Sequence, residues 1–376
     1  MFNAQRPVLV LGSGVRLAGA MEHAIAFAHA SGIPVAPTWG ALDIMPHDDP
    51  LFIGSFGTHG TRYGNLAVQN ADLIISVGSR LDSKSTGTPP STFAPRARII
   101  MVDIDATEIN KFAQMGVKVE GVNEDAKRFF MRVTPDIKAT SYPEWYARIN
   151  DWKARYPICP QSYYEEEGVN PYVLVKALSR ECADGDIICC DTGCTVAWMA
   201  QAFEFKHNQR FIHAWNQTPM GYGLPAAIGA HYATGKRIIL LAGDGSFQMQ
   251  NELATVAGRR LPIKIILLNN GGHAMCRQTQ REWFNQKYDS TSVEGGLTFP
   301  DFTAVAIASG LDSMIPIGQN KQIETTLAQF LDDDKPALIE ALINKNHDVI
   351  PKLFATKPLH DMQPYLTPEQ LAKEMA

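Results

Sequence analysis

No run of basic residues interrupts this 376-residue chain, and its formal net charge is −5. Without a Lys/Arg patch to neutralise phosphates, nucleic acid is not an expected partner. Nor does any apolar stretch reach the roughly 18–20 residues that a membrane helix needs, so no membrane association is expected. The N-terminus carries no signal-peptide pattern, and the expected compartment is the cytoplasm. Cysteine is scarce: there are six, with no CxxC or other metal-ligand spacing, which argues against a zinc module or a disulfide framework. The pair in DIICCD (186–191) reads as reduced core packing. Internal repeats and low-complexity runs are missing too, which excludes a solenoid. Even the early glycine turn, Gly12-Ser13-Gly14, is incomplete as a dinucleotide fingerprint, because Leu17 stands where the third glycine is needed.

What is present is an ordinary globular balance, 45% apolar and 19% charged, in a chain longer than one hydrophobic core usually supports. Strands at 7–12, 33–37, 72–78 and 98–105 alternate with helices at 18–31 and around 63–71. That alternation predicts an α/β fold, with a first parallel-sheet domain over 1–135. Residues 136–169 mix Pro, Tyr and Trp with charges and read as a linker. It contains a short amphipathic helix whose Trp145, Ile149 and Trp152 can pack against a domain. A second doubly wound domain follows over 170–376.

The most informative stretch is 237–275. Two Ile/Leu-rich runs, RIILLA and IKIILL, have the look of buried parallel strands. Between them FQMQNELATVAGRRL has the composition and length of a crossover helix running to Arg260. A right-handed βαβ connection sets the carboxyl ends of both strands side by side, and that is where open α/β sheets bind ligands. Asp244 and Asn270, 26 positions apart, therefore end at one edge. A carboxylate oxygen, an amide oxygen, a backbone carbonyl and two phosphate oxygens make a hard octahedral site suited to Mg²⁺. Gly243, Gly245 and Ser246 form the turn, in which Gly245 lets the backbone approach a phosphate. A second strand–turn–helix unit, DIICCD followed by Thr192-Gly193-Cys194-Thr195, can cradle phosphate in the same way.

Gly243-Asp244-Gly245, a spacer, then Asn269-Asn270 resembles the signature of thiamine-diphosphate enzymes. The spacer is one residue shorter, between Gln250 and Glu252, than in the acetolactate synthases. TWGALD (38–43), GTHGTRYGN (57–65), GSRLDSKSTG (78–87) and VDIDATEI (102–109) resemble the middle domain of the acetolactate synthase family. The resemblance implies a Rossmann-like middle domain followed by the diphosphate-binding domain, with thiamine diphosphate and Mg²⁺ as cofactors. It implies that the carbonyl of Gly272 is the third protein ligand to the metal, and that Gly193, Cys194 and Thr195 contact the diphosphate. Met220 would wedge beneath the cofactor and bend it, the carbonyl of Thr218 would accept from its 4′-amino group, and Met275 and Cys276 would lie against it. Ala274 belongs to the same lining. His273 stays open between a catalytic acid/base and a helix-start residue touching phosphate or solvent.

Some positions depart from the family. Thr195 stands where His is frequent, Lys84 where Arg is usual, and the Trp matching Thr279 is absent. In FAD-binding relatives the loops matching Thr58, His59, Arg80, Asp82 and Asp103 line the flavin. Here the alternatives are an FAD site or loops kept as scaffold, with scaffold preferred.

The function implied is that of a carboligase large subunit. It would decarboxylate a pyruvate-like 2-oxo acid and join the product to a second carbonyl. A simple decarboxylase and a non-catalytic thiamine-diphosphate-binding homologue are the rivals. Nothing in the chain resembles the family's pyrimidine-binding domain, which carries the glutamate that activates the cofactor, and Met1 to Gln5 lead almost directly into the first strand. Glu252, on the crossover, does not qualify for that role. The expectation is a split enzyme or a truncated product. In the split form, a homodimer of this chain would recruit two copies of a separate pyrimidine-binding-domain subunit into a heterotetramer.

Overall fold

A computed structural model describes residues 4–376, except the side chain of Ala113; the start of the Met1 to Gln5 run lies outside the described residues. The chain divides into two compact units, one made of 1–158 with 350–376 and the other of 159–349. Each is an α/β unit built on a parallel sheet.

In the first unit the strands are β1 (Pro7–Leu11), β2 (Val35–Pro37), β3 (Leu73–Val77), β4 (Arg98–Asp103) and β5 (Glu120–Asn123). They lie in the order β2-β1-β3-β4-β5, all parallel. β1 and β3 are buried along their whole length, as strands covered by helices on both faces must be. The order reverses between β1 and β3, and the backbone itself fills that crevice. Gly14 N donates to Gly78 O at 2.9 Å, and a Cβ on Gly12 would stand 2.1 Å from the same oxygen. These glycines serve backbone packing.

The first unit differs from the boundaries read from the sequence in three ways. The helix expected over 18–31 is two, Ser13–Leu17 and Met21–Ser31, interrupted near Gly19, whose φ is +61°. The stretch expected as a linker contains the Pro143–Arg155 helix, whose Trp145, Ile149 and Trp152 are buried in the first core. Their i, i+4, i+7 spacing gives one apolar stripe, so the helix belongs to the unit. Residues 350–376 also return to it. There the Pro368–Met375 helix places Glu374 as acceptor for Trp152 Nε1 at 2.6 Å and for Arg155 Nη1 at 2.5 Å.

The second unit contains β6 (Ile187–Cys190), β7 (Arg210–Ile212), β8 (Ile238–Gly243), β9 (Ile263–Asn269), β10 (Asp312–Ser313) and β11 (Ala337–Leu342). Their order is β10-β11-β9-β8-β6-β7, again parallel. Ile238 to Ala242 and Ile263 to Leu267 are buried, as the two apolar runs predict. Lys264, the one charge in β9, reaches Asp333 Oδ1 at 2.5 Å. Cys189 and Cys190 are fully buried free thiols in β6, and burial pushes Cys189 up to about 12. The strand order reverses between β6 and β8, so the turns after these two strands flank the crevice where such sheets bind ligands.

One element differs. The crossover from β8 to β9 is not a single helix but two short ones, Asp244–Phe247 and Leu253–Gly258. Between them Gln250 turns inward and its Nε2 donates to Asp191 Oδ2 at 2.7 Å. A buried carboxylate that needs donors outweighs the few hydrogen bonds a continuous helix would add there.

Candidate active site

Register brings the two motifs together. Gly243 pairs with Leu268 across β8 and β9, so Asp244 and Asn270 both follow directly at the carboxyl edge. Asp244 Oδ2 accepts from Asn270 N and Gly272 N, each at 3.0 Å, and Oδ1 accepts from Gly245 N at 2.7 Å. The residue is 1% exposed. Burial raises its pKa above the ordinary Asp range, against the backbone N–H groups and Arg277, which pull it down. Asp244 begins the Asp244–Phe247 helix and Gly243 caps it.

The turn after β6 faces this edge. Gly193, at φ +88°, is the N-cap of the Cys194–Ala202 helix, a conformation that favours glycine. A Cβ on Gly243 would lie 3.3 Å from Thr195 Oγ1, so the Thr195 hydroxyl abuts the second turn. Behind both sits Asp191, fully buried. It accepts from Thr192 N at 2.8 Å, Gly223 N at 2.8 Å, Gly221 N at 3.3 Å and Gln250. One carboxylate thereby ties the 192–195 turn, the 221–223 loop and the crossover together.

These turns enclose a cavity of about 250 Å³. Its lining includes Asp244, Asn270 and Gly272; Gly193, Cys194 and Thr195; Gly243, Gly245 and Ser246; and Met220, His273, Ala274, Met275 and Cys276. Of the residues that the resemblance sets against thiamine diphosphate or its metal, Thr218 alone stands outside this lining. It sits at φ +46°, its N–H donating to Ala214 O at 2.8 Å. The His273 ring packs over Gly245, where a Cβ would meet Nδ1 at 2.3 Å. That sets the imidazole against the phosphate-type turn.

Three contributors escaped the sequence reading. Trp198 joins the lining from the Cys194–Ala202 helix, one turn beyond Cys194. Its i+4 spacing from Cys194 was the available signal. Asp191 and Arg277 act from behind, and a lone charge in sequence does not announce its partner.

Among the described residues no group of three or more His, Cys, Asp or Glu side chains could hold a metal by itself. The donor set at this edge is instead one carboxylate, one amide and one backbone carbonyl. A buried carboxylate whose hydrogen-bond partners among the described residues are all backbone N–H groups fits a hard divalent cation completed by ligand oxygens. In the first unit the loops matching a flavin site are largely self-satisfied. Thr58 N and Oγ1 donate to Lys84 O, Asp82 Oδ1 accepts from Lys84 N and Ser85 N, and Asp103 Oδ1 accepts from Asp105 N. Both His59 ring nitrogens are buried without a hydrogen-bond partner among the described residues, and burial beside Lys352 and Lys84 lowers its pKa to about 3.

Among the described residues no helix is long and apolar enough to cross a membrane. Residues 1–129 match the family model "Thiamine pyrophosphate enzyme, central domain", and residues 191–341 match "Thiamine pyrophosphate enzyme, C-terminal TPP binding domain". The chain is 35% identical over 372 residues to an acetolactate synthase large subunit of Corynebacterium glutamicum, covering 96% of this chain and 58% of that protein. It is 33% identical over 353 residues to the acetolactate synthase isozyme 2 large subunit of Escherichia coli (93% and 62%). To the mitochondrial acetolactate synthase catalytic subunit of Saccharomyces cerevisiae it is 32% identical over 369 residues (93% and 52%). The chain thus spans between half and two thirds of the length of these curated relatives. With two thiamine pyrophosphate domains matched in order, the chain belongs to the thiamine-diphosphate enzymes of the acetolactate synthase family.

Proposed function

We propose that this chain is the large subunit of a split thiamine-diphosphate-dependent carboligase acting on a pyruvate-like 2-oxo acid and a second carbonyl compound. The observation that carries the reading is one cavity lined jointly by Asp244, Asn270 and Gly272, by the Gly193 to Thr195 turn, and by Met220. In this reading the 159–349 unit is the diphosphate-binding domain and the first unit the middle domain. Asp244, Asn270 and the carbonyl of Gly272 would hold Mg²⁺, and Gly193, Cys194, Thr195, Gly243, Gly245 and Ser246 would receive the diphosphate. When bound, thiamine diphosphate supplies a carbon nucleophile and an electron sink for decarboxylation. Met220 offers an apolar prop that does not compete for hydrogen bonds, with Met275 and Cys276 on the same lining. His273, packed on Gly245, is a phosphate-side residue in this reading, and the 57–87 and 102–109 loops are scaffold.

Among the described residues Asp244 is the only carboxylate in the lining, and in this reading it is committed to the metal set. The glutamate that activates the cofactor must come from other residues, and we assign it to a pyrimidine-binding-domain partner.

Calorimetry tests the cofactor assignment. Wild type should bind thiamine diphosphate in a Mg²⁺-dependent manner, and Asp244→Ala should lose that binding. Unchanged affinity in the variant would sink the assignment. Product analysis with pyruvate, alone and with an added aldehyde, separates carboligation from simple decarboxylation. A binding protein without turnover under any partner would be the non-catalytic homologue.

A further inference from the structure

A buried arginine lies against the proposed metal-ligand turn, and the chemistry above gives it no task. Arg277, in the Ala274–Trp283 helix, is 8% exposed. Its Nη1 and Nη2 both donate to the carbonyl of Asn270 at 3.3 Å, and Nη2 donates to Asn270 Oδ1 at 3.2 Å. Nη2 also donates to Lys345 O at 3.1 Å. At the other end of the turn, a Cβ on Gly272 would stand 3.1 Å from Nη1. The guanidinium therefore spans the whole 270–272 turn.

A guanidinium has donors and no acceptor. The Asn270 side chain must then present its oxygen, not its nitrogen, on the Arg277 side. That oxygen has two lone pairs; Arg277 takes one, and the other stays available to the cavity that Asn270 lines. Bonding the backbone carbonyl and the side-chain amide of the same residue fixes its peptide plane and its rotamer together. Partners of this kind, one step behind a metal ligand, set its orientation and change metal affinity about 10–100-fold when removed. The charge is also tolerable. Asp244 and a diphosphate together outweigh a divalent cation, so one further buried positive charge balances the site rather than opposing it.

We propose that Arg277 is the positioning residue of the metal site, holding Asn270 in the one orientation that offers its amide oxygen to the cation. This rests on the functional reading above.

A bland alternative is a clamp on residues 345–349. The same helix grips that segment twice more: Gln278 Nε2 donates to Val349 O at 3.1 Å, and Arg281 pairs with Asp348. Arg281's hydrogen bond among the described residues goes to Asp348 and not to Asn270, so it serves as the control.

The experiment titrates Mn²⁺ into the full chain with thiamine diphosphate present. Free metal and the spectrum of the bound ion are both read by electron paramagnetic resonance, with melting measured alongside. Arg277→Met should bind Mn²⁺ at least about tenfold more weakly and give an altered bound-ion spectrum. Arg277→Lys should fail to rescue either, because one ammonium cannot span both oxygens of Asn270 and the Lys345 carbonyl. Arg281→Met should lower the melting temperature and leave affinity and spectrum as in wild type. Wild-type affinity and spectrum in Arg277→Lys, or an equal loss in Arg281→Met, would overturn the proposal. If Arg277→Met does not fold, Arg277→Lys decides alone. Failure of wild type itself to bind Mn²⁺ with thiamine diphosphate would sink the functional reading, and this inference with it.

Discussion

Gly245 shows how narrowly a single residue is specified here. Its own φ is not in the left-handed region; the constraint is space, since an added Cβ would stand 2.3 Å from His273 Nδ1. Gly245→Ala should therefore push the imidazole off the turn, costing about 1–3 kcal/mol by overpacking and weakening diphosphate binding. Gly245→Ala combined with His273→Ala should recover much of the melting loss, giving a coupling of about 0.5–3 kcal/mol. Additive losses would mean the ring is not what Gly245 accommodates. The positions of Asp244 and Asn270 at one sheet edge were legible because strand, turn and spacing place them without knowledge of neighbours, whereas Gly272 entered through the family resemblance. Arg277 and Asp191 were not, since a buried charge is recognised by its partners, and those arrive from up to 68 and 59 residues away.

Among the elements, the crossover from β8 to β9 is broken into two short helices. Helix formers in FQMQNELATVAGRRL favour a continuous helix, but Gln250 breaks it by binding Asp191, and the helix resumes at Leu253. Local propensity is a weak prior against a buried carboxylate in need of a donor. Gln250→Ala should cost about 1.5–3 kcal/mol, the range for a hydrogen bond to a charged group. Urea unfolding should show a lower midpoint at unchanged slope; an unchanged midpoint would mean water replaces the amide freely.

The C-terminal helix makes a pH-dependent counterpart in the first unit. Arg155, then Trp152 and Tyr156, hold the Glu374 carboxyl down at about 2 against partial burial. A depressed carboxyl stabilises the fold fully above its unfolded value of 4.5 and loses that contribution as pH falls towards about 2. Glu374→Gln should therefore lower the urea midpoint at pH 7 and differ progressively less from wild type as acid is added. A difference that persists undiminished at low pH would show that the carboxylate's charge is not the source.

For the whole molecule, two parallel α/β units were legible because buried strands alternate with helices, whereas the first unit's discontinuity was not. Its returning segment, 350–376, carries only short strands and one helix, and no local pattern says which core will accept it. The largest remaining step is activity. General acid–base catalysis needs its partners within hydrogen-bond reach of the proton they move. Among the described residues the one carboxylate lining the cavity is Asp244, whose oxygens already accept from Gly245, Asn270 and Gly272. In our reading Asp244 would hold the metal, which leaves it no part in a proton relay. We therefore expect this polypeptide, purified alone with Mg²⁺ and thiamine diphosphate, to bind the cofactor weakly and to leave pyruvate unconsumed. In our reading it is a homodimer awaiting two copies of a pyrimidine-domain subunit. Adding that subunit should restore turnover, and a version with its activating glutamate replaced by glutamine should not. Cofactor binding without turnover, rescued by the intact partner alone, is the expected pattern. Robust consumption of pyruvate by this polypeptide on its own would overturn the split-enzyme proposal and require the proton relay to be found among its own residues.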